Sequence, residues 1–168
     1  MRVGWWVAVL LVVGSMTAVA QTKADVAVVT FFSNPQDMAG SCGGKSEAFT
    51  GNLFVGEDEL AKMRPARFLT VSFVPGTYEF TATTWMAKGP AGGGHLKLEL
   101  AAHHHYYVEL RSRPSFPVTK MFGIKEVACE EAATRNAKDK PVDGAALRAA
   151  GKDNLVVETA FPFCPATE

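Results

Sequence analysis

The strongest constraint in this chain is a paired pattern at its centre: Phe68-Leu69-Thr70-Val71-Ser72-Phe73-Val74, then Pro75-Gly76, then Thr77-Tyr78-Glu79-Phe80-Thr81-Ala82. Pro presets φ at the first central position of a turn and Gly takes positive φ cheaply at the second, so two β-rich runs around Pro-Gly predict a hairpin. The chain is expected to be β-protein at its centre.

Further strands are expected on both sides. Ala24–Phe32 is a β-branched and aromatic run suited to a central strand, and Asn52–Val55 reads as a second strand that turns over at Gly56-Glu57-Asp58. Glu59–Met63 reads as a short connector before Pro65. After the glycine-rich loop Lys88–Gly94, the stretch His95–Leu100 alternates, sending Leu96, Leu98 and Leu100 inward and Lys97 and Glu99 to solvent. Tyr106–Arg111 returns with Tyr106, Val108 and Leu110 on one face, and another strand is expected over Thr119–Val127. From Cys129 the character changes: Glu130–Lys138 carries acids first and bases last, as a helix dipole favours. Ala145–Ala150 predicts a second helical turn and Asn154–Phe161 a last strand. Short strands at this spacing argue for a mainly β fold, a single antiparallel β-sandwich with a short C-terminal helix.

The first residues read as an export signal. Arg2 precedes an apolar run from Val3 to about Val13, and Ala18-Val19-Ala20 supplies small residues for cleavage after Ala20. The run is short against the roughly 20 residues of a membrane span, so residues 1–20 are expected to leave and residues 21–168 to form one periplasmic or secreted domain without a stable membrane anchor. The whole chain has 17 basic and 17 acidic residues, and loss of Arg2 leaves a net charge of −1. Such a balance exerts no broad pull on nucleic acid. Cys42, Cys129 and Cys164 all follow the signal into a compartment where disulfides persist. A Cys129–Cys164 bridge is favoured, because it would staple the tail to the body. Cys42, in Gly40-Ser41-Cys42-Gly43-Gly44, is then the leftover thiol, and pairings through it stay open.

The order of motifs resembles a bacterial family. Leu53 to Met63 reads Leu-Phe-Val-Gly-x-x-x-Leu-Ala-x-Met, followed by a strand into Pro75-Gly76 with Tyr78 and Phe80, then Leu96-x-Leu98-x-Leu100 and Tyr106-Tyr107-Val108. Over about residues 25–128 this resembles the exported domain of unknown function 2846 family and PEGA-like envelope β-sandwiches. The resemblance implies an envelope compartment and a small β-sandwich, and brings no catalytic residues. His103-His104-His105 stands where such proteins tend to have a Gly-Lys-Thr-like turn.

Four constellations bear on chemistry. Ala39-x-x-x-x-Gly44-Lys45-Ser46 matches a loose phosphate-binding loop, but Thr50-Gly51-Asn52 interrupts the helix that such a loop feeds, so it reads as a glycine-rich loop. His103 and His105 would share one face of an extended strand and could chelate zinc, copper or nickel. A third ligand would be His95 across a hairpin, with Glu99 and Glu109 as further candidates. Alternation sends Tyr106 into the core and leaves Tyr107 exposed or at an edge, as a partner contact. Trp85, beside Met86, reads either as a core aromatic or as part of the same partner-binding surface.

These features predict a noncatalytic envelope module that binds protein or cell-surface components and needs no cofactor. The alternative is a small periplasmic metal-binding protein built on His95, His103 and His105.

Overall fold

The computed structural model describes residues 25–33, 51–114, 120–158, 160–162 and 164. The expected signal, Cys42 with its glycine-rich loop, the loose phosphate-loop motif and Phe163 lie outside them. The described chain is mainly β, with nine strands in two sheets. They are β1 (Ala27–Ser33), β2 (Gly51–Val55), β3 (Asp58–Met63), β4 (Arg67–Phe73), β5 (Gly76–Thr84), β6 (Gly94–Leu100), β7 (His105–Pro114), β8 (Lys120–Val127) and β9 (Lys140–Pro141). The helices are α1 (Cys129–Asn136) and α2 (Ala149–Asp153). One sheet has the order β8-β7-β1-β4-β9 and the other β3-β2-β5-β6, and together they form the expected β-sandwich with a short C-terminal helix.

The near-continuous apolar run of β1 is explained by its place between β7 and β4, where every position except Val28 is buried. Most pairings are antiparallel, but β1 runs parallel to β7 and β4 parallel to β9. Parallel neighbours need a long connection, and the excursion of the chain through the second sheet supplies it for β1 and β7.

Pro75-Gly76 is not the turn of a hairpin. β4 pairs with β1 in one sheet while β5 pairs with β2 and β6 in the other, so the dipeptide carries the chain across the sandwich. The Tyr78 hydroxyl donates to the Val74 carbonyl at 2.9 Å and braces the crossing. Behind it the rings of Phe73 and Phe80 meet edge to face at 5.4 Å between centroids. An apolar face on each run is satisfied equally by lying side by side or by facing across a core, and alternation alone does not distinguish the two.

Two other expectations change. Glu59–Met63 belongs to β3 rather than to a connector: Leu60, Ala61 and Met63 are all buried, and Glu59, Ala61, Lys62 and Met63 pair against β2, with a register shift at Leu60. Among the described residues of Asn154–Phe161 there is no strand: the segment meets β4 at an isolated bridge between Val71 and Leu155, and Phe161 packs in the second aromatic cluster. Ala145–Ala150 divides into a 3-10 turn at Gly144–Ala146 and the start of α2.

The principal core lies between the sheets and includes Phe31, Leu53, Leu60, Leu69, Phe80, Leu100 and Val108. A second cluster lies on the opposite face of the five-stranded sheet, where Phe32, Phe68 and Tyr107 are covered by Ala132 of α1 and by Phe161. Phe161 meets both Phe32 and Phe68 edge to face at 5.5 Å. The Cys129–Cys164 disulfide closes this layer, with Cα atoms 5.6 Å apart.

The margins of the sandwich are covered. At one side Val142 N donates to Phe68 O (2.8 Å), Val156 N to Thr70 O (3.0 Å) and Ser72 N to Asn154 O (2.8 Å), which occupies the outer row of β4. Next to it Arg148 N donates to Leu60 O at 2.9 Å on the outer row of β3. At the other side β6 and β8 approach so closely that a Cβ on Gly94 would collide with the Phe122 carbonyl. Covered margins of this kind prevent edge-to-edge pairing with other chains.

Candidate functional site

The three candidate metal ligands do not converge. β6 and β7 are not a hairpin: His95 lies on β6 of one sheet and His105 on β7 of the other. His103 precedes the strand in a turn with φ 60°, so it does not share an extended face with His105. Each imidazole has its own partner. His95 Nδ1 lies 3.0 Å from Glu79 Oε1 and 3.1 Å from Thr81 Oγ1, and His103 Nε2 lies 3.1 Å from Asp25 Oδ1. His105 Nε2 lies 2.8 Å from Thr30 Oγ1. Glu109 is buried and clasped by Arg111 through Nε at 2.7 Å and Nη2 at 2.6 Å. Among the described residues no group of three His, Cys, Asp or Glu side chains is placed to hold a metal ion.

Of the tyrosine pair, Tyr106 packs against the main core as expected, whereas Tyr107 does not lie at the surface. Tyr107, expected at the surface, is 3 % exposed, because α1 and Phe161 cover the face onto which it projects. Burial raises its phenolic pKa, and the charges of Glu158 and Glu130 raise it further. Tyr106 packs at the margin of the main core, and its hydroxyl donates to Glu99 O at 3.2 Å. Trp85 is 60 % exposed and Met86 69 %, in the turn after β5, so the core reading of Trp85 is overturned. The buried part of β5 runs from Phe80 to Thr83, and the strand ends at Thr84, before Trp85 can pack.

The feature missed in the sequence is a groove of about 410 Å³ beside the covered margin of β4. β4 contributes Phe68, Leu69 and Thr70; Pro141, Val142 and Leu147 border it on the side of β9 and the 3-10 turn. The tail supplies Leu155, Val156, Val157 and Glu158. Hydrocarbon dominates this lining, and among the described residues Thr70 and Glu158 bring its only polar side chains. The Thr70 hydroxyl is already engaged by Thr30 at 3.0 Å. That leaves Glu158, which is half-buried, forms no ion pair among the described residues, and is held above the usual carboxylate range by burial. The available sequence signal is the apolar run Leu155-Val156-Val157, which marks contact with the body without revealing that the contact is incomplete.

Cavities of several hundred Å³ with apolar walls and one placed polar group are the usual form of a small-ligand site. Among the described residues no helix is long and apolar enough to cross a membrane. Compared with protein-family models, curated proteins and solved structures, the chain matches none.

Proposed function

We propose that this chain is an exported, noncatalytic envelope module that binds a protein or cell-surface component, and that the groove beside β4 receives the apolar part of what is bound. The observation that carries the reading is the groove itself, with hydrocarbon walls and, among the described residues, one carboxylate, Glu158, that forms no ion pair. The Cys129–Cys164 bridge is compatible with an oxidising compartment, and the resemblance to exported envelope sandwiches points the same way. Thr30, although bonded to an imidazole, is fully buried, which suits structural service better than nucleophilic attack.

The test compares the full chain with Val157→Trp, a change at a side chain 82 % exposed that would fill the groove without disturbing the core. Both immobilised proteins are exposed to solubilised envelope extract. A component retained by the first and lost by the second supports the reading. Equal retention by both, or turnover of a small substrate by the purified chain, argues against it.

A further inference from the structure

The occupant of the groove is a matter of chemistry, and two features narrow it. The first is that the outer backbone row of β4 is taken: Phe68 O, Thr70 O and Ser72 N are bonded to Val142 N, Val156 N and Asn154 O. A peptide that binds a sheet by strand addition needs such a row vacant for its main-chain bonds. The groove therefore offers side-chain walls and no backbone ladder, which favours a compact amphiphile over an extended peptide.

The second feature is charge. Of the side chains that line the groove, Glu158 alone is ionisable, and among the described residues it has no cationic partner. Its charge also reaches Tyr107, whose buried hydroxyl has no hydrogen-bond partner among the described residues. A carboxylate with apolar neighbours favours a ligand that brings a compensating positive charge and hydrogen-bond donors. An anionic lipid or fatty acid would place a second carboxylate or phosphate beside the first. A neutral chain would fill the walls and leave Glu158 uncompensated.

Resting on the binding reading above, we infer that the groove takes an aliphatic amine: an apolar chain against Phe68, Val142, Leu147 and Val156, with its ammonium group on Glu158. The aliphatic part is held by burial of hydrocarbon, and the ammonium by a charge-assisted hydrogen bond to the carboxylate.

Octylamine, octan-1-ol and octanoate serve as probes of equal chain length, titrated into the full chain while amide resonances of Thr70, Val142 and Val157 are followed by NMR. The expected order is amine, then alcohol, then carboxylate, with the amine bound about tenfold more tightly than the alcohol. Glu158→Gln should bring the amine to the level of the alcohol and leave the alcohol unchanged. Val157→Trp should abolish binding of all three. Equal binding of amine and alcohol, stronger binding of octanoate, or an amine affinity unaffected by Glu158→Gln overturns the amine inference and leaves the groove as an apolar site. Failure of every probe to shift these resonances overturns both the inference and the groove reading.

Discussion

Oγ1 of Thr30 lies 2.8 Å from Nε2 of His105 on the parallel neighbouring strand, and the same hydroxyl lies 3.0 Å from Oγ1 of Thr70 on the antiparallel one. Three polar side chains thus run across β7, β1 and β4 on the outer face of the sheet, between the aromatic cluster and the groove. The imidazole also stacks on Tyr107, with centroids 4.5 Å apart and planes 12° from parallel. The chain is satisfied inside a covered layer, which is the condition under which buried polar groups are tolerated.

A pH dependence follows from His105. Burial holds its pKa below the ordinary value of 6.5. The unfolded chain therefore takes up this proton before the folded one, and stability is complete above that value and is lost as pH falls below it. The urea midpoint should decline from pH 7.5 to pH 5.5. His105→Gln should flatten that part of the profile, at a cost of about 1–2 kcal/mol at pH 7.5 from the lost hydrogen bond and stacking. An identical slope in the variant would mean that His105 is not the group responsible.

Asp139 acts in the opposite sense. Burial raises its carboxyl to about 6, and its Oδ2 has no hydrogen-bond partner among the described residues. The folded state keeps a proton that the unfolded state gives up near the usual carboxylate value, so the contribution is present below about 4 and is lost as pH rises through about 6. Asp139→Asn should raise stability at pH 7.5 by about 1–2 kcal/mol, allowing for solvent screening, and change little at pH 4. Thermal melts of the two proteins at both pH values provide the measurement.

Gly151 in α2 is buried against β3, and a Cβ there would collide with the carbonyl carbon and oxygen of Leu60. Ala is the better helix former by about 1 kcal/mol, so an exposed glycine in a helix would gain from the exchange. Here the backbone of a core strand is the obstacle and it has no rotamer to change. Gly151→Ala should therefore lose about 1–3 kcal/mol in denaturant titration. A stabilised variant would show that α2 can lift from β3 at little cost.

Local chemistry was legible where a residue's own neighbours decide its state. The alternation of Leu96, Leu98 and Leu100 and the acids at the start of α1 follow that rule, whereas the pairing of Cys129 with Cys164 was legible because few cysteines compete for it. What the sequence left ambiguous was which strands share a sheet. Val74-Pro75-Gly76 crosses between sheets, and so does the turn Ala101–His104 before β7, which separates His95 from His105. Alternation places Tyr107 at the surface because it treats the face opposite the core as wet. That face is dry here because α1 and Phe161, remote in sequence, cover it. The groove was hidden for a related reason, since it is defined by three segments joined only in the folded chain.

The tail offers the most direct test of how this cover is held. Phe161 is 4 % exposed, packed on Phe32 and Phe68, and only two residues separate it in sequence from Cys164 of the Cys129–Cys164 bridge. Chain ends fray unless tied down, and here the aromatic contact and the covalent link tie down the same segment. Phe161→Ala should cost about 3–5 kcal/mol, and replacement of both bridge cysteines by serine about 3–4, against a total stability of about 5–15. If the bridge acts by holding Phe161 in place, the two losses overlap and the triple variant should lose measurably less than their sum, as coupled sites do. Strict additivity would mean that the bridge restrains only the unfolded chain and that Phe161 docks without it. Alkylation of the non-reduced protein supplies a separate check: one reactive thiol, at Cys42, is expected. Modification of Cys129 or Cys164 would show that the tail is not linked as described.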